Sequence, residues 1–161
     1  MKIRHTDARL RAIFSREENH GQSLVEFALT LPVLLLLVAG IMVFGLAINN
    51  YVMLTEATAV GSRQLAISRG QTLDPCKTVY NTVTGAAPIL TAANMTFKIS
   101  LNGNVYKGTT CSGTTTSGAP ANMVLGSTAI VTVTYPFTMS TFSNFLPSSF
   151  QLAAQTSELM Q

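Results

Sequence analysis

Few side chains in this sequence of 161 residues could carry out acid–base, nucleophilic or metal chemistry. Both histidines, His5 and His20, precede Gly21, and tryptophan does not occur. Beyond Gly21 the acids are four and widely spaced: Glu26, Glu56, Asp74 and Glu158. No nucleophile–base–acid set, metal-ligand spacing or glycine-rich phosphate loop can be assembled from these residues. The sequence therefore argues against an enzyme and predicts neither a cofactor nor a metal.

The two cysteines, Cys76 and Cys111, could form one disulfide. With only two cysteines the connectivity is fixed if they pair, and a disulfide persists only on the oxidising side of a membrane. Closing the loop between them would stabilise the fold by about 3–4 kcal/mol. Two free thiols are the alternative.

The charges are distributed unevenly along the chain. Five of the ten lysines and arginines precede Gly21, and no charged residue occurs between Glu26 and Glu56. The positive net charge therefore comes mainly from the first 21 residues. Since it does not mark a basic surface on the rest of the chain, we predict no nucleic-acid partner.

Residues 24–48 are almost entirely apolar, with Glu26 as the one charge. This stretch exceeds the ~20 residues that a helix needs to span a bilayer, and it is too long for the apolar core of ~7–15 residues in a cleaved secretory signal. An uncleaved signal anchor is the alternative. In either case the preceding cations predict a cytoplasmic N-terminus and a C-terminal part outside.

The junction between the basic and apolar segments has chemistry of its own. A carboxylate is costly inside lipid and requires a partner, and a glycine leaves the backbone open to a peptidase. Type IV prepilins are cut after a glycine, and a glutamate stands fifth in the mature chain. The string here resembles the TadE-like family of the tight-adherence (Flp) pilus system: Gly21-Gln22-Ser23-Leu24-Val25-Glu26-Phe27-Ala28-Leu29, then Leu31-Pro32, a Leu/Val run and Phe44-Gly45.

The resemblance implies a minor pilin or pseudopilin of the bacterial inner membrane. Its leader would be cut between Gly21 and Gln22 by a prepilin peptidase, and Glu26 and Phe27 would serve assembly. In pilins the partner proposed for this glutamate is the new N-terminal amine of a neighbouring subunit, here that of Gln22. The implied partners are the membrane, the peptidase, other pilins and pilus-assembly proteins. Two alternatives stay open: Glu26 simply reaches water, or the chain is an unprocessed, signal-anchored envelope protein with an extracytoplasmic binding domain.

The elements that position this junction are a long helix and a small domain. We expect a cytoplasmic leader over residues 1–21, a transmembrane and extended helix over 22–70, and an extracytoplasmic domain over 71–161. Pro32 should loosen or kink the helix, and Gly70, with Arg69 in the last turn, should end it. A stripe of small residues, Thr58, Ser62 and Ala66 with Ala57 and Gly61 beside them, would pack either against the chain's own domain or against another subunit.

The C-terminal segment predicts an α+β fold with an antiparallel sheet. Asp74 and Pro75 should start a short helix that reaches Val83. Strands are expected over residues 95–101, 127–134 and 150–156, with a hairpin turn at Asn102 and Gly103. Pro136 should end the second of these strands or place it at an edge. The segment 107–120, rich in Thr, Ser and Gly, is predicted to be a flexible loop.

Overall fold

The computed structural model describes residues 18–108, 111, 118–138 and 149–161, with side chains from Gly21 onward. Most of the predicted leader and most of the predicted flexible loop lie outside the described residues. The start of that loop was predicted wrongly, because Lys107 and Gly108 belong to a strand. The chain divides into two compact units, Met1–Phe44 and Gly45–Gln161.

The first unit contains the N-terminal part of α1, a helix of 50 residues over Glu18–Ile67. Pro32 lies inside this helix and does not end it. Two residues before the proline, the Thr30 hydroxyl donates a hydrogen bond of 3.2 Å to the Phe27 carbonyl. The long N-terminal helix that the sequence predicts is therefore confirmed.

Helix α1 ends at Ile67, three residues before the predicted end at residue 70. After Ile67 the chain turns, and the Ser68 carbonyl accepts hydrogen bonds from the backbone N–H groups of Gln71 and Thr72. Gly70 has the left-handed φ of 74° that suits a residue just beyond a helix. Arg69 is consequently outside the last turn, and the prediction that it would be the cation of that turn is wrong. Its Nε instead donates to the Met123 carbonyl at 3.0 Å.

The second helix, α2, spans Pro75–Ala86. Its start is as predicted, because the Asp74 carboxylate accepts a hydrogen bond of 3.0 Å from the Lys77 backbone N–H and proline occupies the first turn. The helix continues three residues past Val83, through Gly85. Its buried face contributes Cys76, Val79 and Val83 to the core.

Four antiparallel strands form one sheet in the order β2-β1-β3-β4. The strands are β1 Thr96–Leu101, β2 Asn104–Gly108, β3 Thr128–Thr138 and β4 Ser149–Leu159. Asn102 and Gly103 have φ of 47° and 82°, the positive values that a type I′ hairpin turn requires. The predicted α+β fold with its hairpin is confirmed.

Pro136 does not end its strand, because β3 continues to Thr138. Strand β1 pairs with β3 only from Ala129 to Thr134, so beyond that point β3 has β4 as its single neighbour. Pro136 therefore lies on a local edge, where its missing N–H costs no ladder hydrogen bond. Of the two alternatives for Pro136, the edge position is confirmed and the end of the strand is wrong.

The core of the second unit lies between one face of the sheet, α2 and the C-terminal part of α1. Its large side chains are fully buried: Leu54, Leu65, Val79, Val83, Met95, Phe97, Ile99, Leu101, Val131 and Val133. The predicted stripe of small residues is also buried here, with Thr58 and Ser62 at 0% exposure. The stripe thus packs against its own domain, which was one of the two alternatives.

Candidate functional site

The residues of the predicted processing site lie together at the beginning of α1. Gly21 is exposed, and a Cβ built on it would have no neighbour within 4 Å. The peptide bond between Gly21 and Gln22 lies in the first turns of the helix, which fray readily. No residue that the structure describes covers this peptide bond, so a peptidase could approach it.

Glu26 is held by a neutral partner rather than a cation. Gln22 Nε2 donates to Glu26 Oε1 at 3.3 Å, an i,i+4 contact on the helix surface. No lysine or arginine occurs from Glu18 to Phe44, so this part of the chain supplies no basic side chain for the carboxylate. An amide satisfies one lone pair but leaves the negative charge uncompensated. In lipid that charge would require a cation from another part of the chain or from another molecule.

The surface that follows Glu26 is apolar on every side. Phe27 is 63% exposed, and the large hydrophobic side chains from Leu24 to Phe44, except the half-buried Val43, are between 38% and 71% exposed. A helix that is apolar all round requires burial in something other than water. By length and composition, the stretch Gly21–Ile67 is long and apolar enough to cross a membrane. It could therefore be a membrane anchor.

The disulfide predicted from the two cysteines is present. Cys76 and Cys111 are bonded, with their Cα atoms 5.4 Å apart. The bond joins the first turn of α2 to the chain shortly after β2, and both cysteines are buried. The alternative of two free thiols is wrong.

Three contacts that were not predicted from the sequence join the end of α1, and the turn after it, to the rest of the second unit. Arg69 binds the Met123 carbonyl, and Arg63 Nε lies 3.7 Å from Glu158 Oε1 of β4. The Gln161 backbone N–H donates to the Ala66 carbonyl at 3.2 Å. All three span more than 50 residues of sequence, so no local pattern could have indicated them.

Within the part of the chain that the structure describes, no three His, Cys, Asp or Glu side chains converge on a point that could hold a metal ion. Three of the described acids make separate contacts instead: Glu26 contacts Gln22, Asp74 caps α2 and Glu158 contacts Arg63. The residues around Gly21 provide an accessible backbone bond, a carboxylate without a cationic partner in its own helix segment and an apolar helix surface.

These features define a class of protein: one long apolar N-terminal helix with a small, disulfide-linked α+β domain on its C-terminal side. Residues 21–63 match the family model described as TadE-like protein. The match begins at Gly21, contains Glu26 and Phe27, and ends within the second unit. It confirms the resemblance and, with the apolar helix, indicates a Tad pilus-associated protein with an N-terminal membrane-anchoring helix. No curated protein and no solved structure matches the chain.

Proposed function

We propose that this protein is a minor pilin or pseudopilin that takes part in assembly of a Flp/Tad-type pilus. The observation that carries the proposal is the coincidence of the family match with the geometry of its first residues. The match begins at Gly21, the glycine is uncovered, and the glutamate five residues later lacks a basic partner in its own helix segment.

We propose that a prepilin peptidase removes residues 1–21 by cutting between Gly21 and Gln22. A glycine before the cut removes the side chain that would otherwise obstruct approach to the carbonyl. Cutting also frees the α-amine of Gln22, which is protonated at neutral pH. Processing would thus create a cation at the start of an apolar stretch in which Glu26 is otherwise the one charged residue.

The freed amine explains how Glu26 could serve assembly. Within one chain its described contact is the amide of Gln22, which carries no charge. When helices pack side by side in lipid, the N-terminal amine of one subunit could meet Glu26 of the next. Such a pair is strongly favoured in a low-dielectric environment because both charges are otherwise costly there. Phe27, exposed beside it, would add apolar contact between the helices.

We further propose that the protein crosses the bacterial inner membrane once, with residues 71–161 outside the cytoplasm. The excess of lysine and arginine before the apolar stretch supports this orientation. The disulfide supports it independently, because disulfides persist in oxidising compartments and are rare in the cytoplasm.

The second candidate is an unprocessed, signal-anchored envelope protein whose second unit binds a partner. The apolar helix and the disulfide suit both functions, but only a pilin enters the filament. Pili sheared from cells that produce a tagged copy separate the two candidates. We expect the tagged protein in the washed filament fraction, and a Glu26→Ala variant should be depleted from it. Full recovery of the wild-type protein in membranes, with none in filaments or in complexes with pilus-assembly proteins, would favour the envelope protein.

A further inference from the structure

The face of the sheet that points away from the core carries two lysines directly opposite each other. Lys98 of β1 and Lys107 of β2 are register partners, and both are exposed. Like charges in this position repel and destabilise a strand pair. The two-residue turn at Asn102 and Gly103 fixes the register, so the sequence itself enforces this repulsion.

The pair is the end of a polar row that crosses all four strands. Lys98 faces Thr132 on β3, and Thr132 faces Gln155 on β4. The Thr132 hydroxyl donates a hydrogen bond of 3.2 Å to Gln155 Oε1. We call these four residues, Lys107, Lys98, Thr132 and Gln155, the lysine row. At about 4.8 Å per strand it extends over about 14 Å.

The described part of the second unit places no acid on this face. Glu158 is opposite the buried Ala129, on the core side of the sheet, and contacts Arg63. Asp74 caps α2, and Glu56 belongs to α1. Neither lysine of the row forms an ion pair with a described residue. The face therefore combines uncompensated positive charge with hydroxyl and amide groups, beside the exposed Val105 of β2.

We propose that the lysine row binds an acidic polysaccharide, with carboxylates on the two ammonium groups and sugar hydroxyls on Thr132 and Gln155. This inference rests on the proposed function only in that the second unit must lie outside the cytoplasm. A polysaccharide repeats carboxylates and hydroxyls along one chain, and the row presents the matching groups in line. Each contact is weak, and affinity grows when several copies engage one polymer.

Other anionic partners fit the row less well. Protein interfaces have an apolar core enriched in aromatic residues, whereas the row has no apolar or aromatic member. Recognition of an anionic membrane surface uses clusters of about four to eight basic residues. Single-stranded nucleic acids are bound through aromatic stacking in a basic groove. Two ammonium groups beside neutral hydrogen-bonding groups match a hydroxylated polyanion.

The test is binding of the full-length protein, in a non-ionic detergent, to immobilised polygalacturonate. The Lys98→Gln/Lys107→Gln variant should bind about tenfold more weakly, with each single change costing about two- to fivefold. The matched control is Lys77→Gln, which removes one exposed lysine from α2 and should leave affinity within twofold of wild type. Cations of the leader contribute equally to every variant and so cancel in this comparison. Thr132→Val should weaken binding without any change of charge.

Several results would overturn the assignment. One is the absence of wild-type binding to polygalacturonate, and another is equal loss for Lys98→Gln and Lys77→Gln, which would show that only net charge matters. Equal or tighter binding to polyglutamate, or to an immobilised anionic lipid headgroup without acyl chains, would assign the row to a protein or a membrane. Removing the like-charge pair should leave the midpoint of thermal unfolding unchanged or raised, so lost binding with a preserved midpoint is not misfolding. The assay requires neither leader cleavage nor a pilus, so its failure is distinguishable from failure of the proposed function.

Discussion

Gly61 of α1 lies against Val83 of α2 so closely that no side chain fits between them. A Cβ built on Gly61 would stand 2.6 Å from Val83 Cγ2 and 3.6 Å from Val79 Cγ1. The absence of a side chain at this position allows the two helices to approach. The contact lies within the second unit and fixes the C-terminal part of α1 in the core.

Gly61→Ala should therefore destabilise the second unit. Alanine favours a helix over glycine by about 1 kcal/mol, but overpacking of a core costs about 1–3 kcal/mol, so we expect a net loss. Urea unfolding followed by tyrosine fluorescence is suitable because Tyr80 packs edge-on against Phe97, with ring centroids 5.5 Å apart.

The matched control is Gly85→Ala in α2, where a Cβ meets nothing within 4 Å. That variant should be neutral or stabilised by up to about 1 kcal/mol. A double variant, Gly61→Ala with Val83→Ala, should show coupling, because the smaller side chain relieves the overlap. Equal behaviour of the two glycine variants would disprove the close packing.

Removal of the disulfide should destabilise the domain by about 3–4 kcal/mol, the value for a loop of this length. The change is Cys76→Ala with Cys111→Ala, which eliminates a bond across a sequence separation of 35. Before any mutation, intact protein should take up no alkylating group without reduction and two after reduction and denaturation. Uptake of two groups by unreduced protein would contradict the bond.

Gly21→Leu should leave residues 1–21 attached. A leucine side chain would obstruct approach to the bond before Gln22, while the rest of α1 stays unchanged. The intact mass of membrane-extracted protein reports the outcome, since an uncut chain is heavier by the whole leader. Gly40→Leu changes another uncrowded glycine of the same helix and should be processed normally. Normal removal of the leader from Gly21→Leu would reject Gly21 as the cleavage determinant.

Glu26→Gln should separate processing from assembly. The variant keeps the size of the side chain and removes the charge, so the leader should still be cut while the amount in sheared filaments falls at least severalfold. Glu56→Gln removes a carboxylate that lies after the apolar stretch and should enter filaments normally. If both variants enter filaments as well as wild type, the charge of Glu26 has no role in assembly.

Local signals in the sequence predicted much of the architecture. The Asp74-Pro75 helix start, the Asn102-Gly103 turn and the alternating strands each depend on neighbouring residues, and each appears in the structure. The strand after the turn was predicted less well, because Lys107, expected in a flexible loop, belongs to β2 and pairs with Lys98. The disulfide was predictable because only two cysteines exist.

Features that depend on distant residues were not predictable. Whether Pro136 ends β3 or lies on an edge depends on where β1 stops pairing, which is a property of the sheet. The partner of Arg69 is a carbonyl more than 50 residues away. The stripe around Gly61 has the composition of either an internal or an intersubunit contact, and only the position of α2 distinguishes them. At the junction around Gly21, the structure adds no residue to those that the sequence indicates, because the proposed cleavage and the proposed assembly contact would involve other proteins.

The most direct test of the proposed function is the N-terminal residue of the protein extracted from cells that produce the pilus. Mass spectrometry of its N-terminal peptide, with and without an active prepilin peptidase, gives the answer. We predict a chain that begins at Gln22 when the peptidase is active and a chain that retains residues 1–21 when it is not. A chain that still carries residues 1–21 in the presence of the active peptidase would contradict processing at Gly21 and favour a signal-anchored envelope protein.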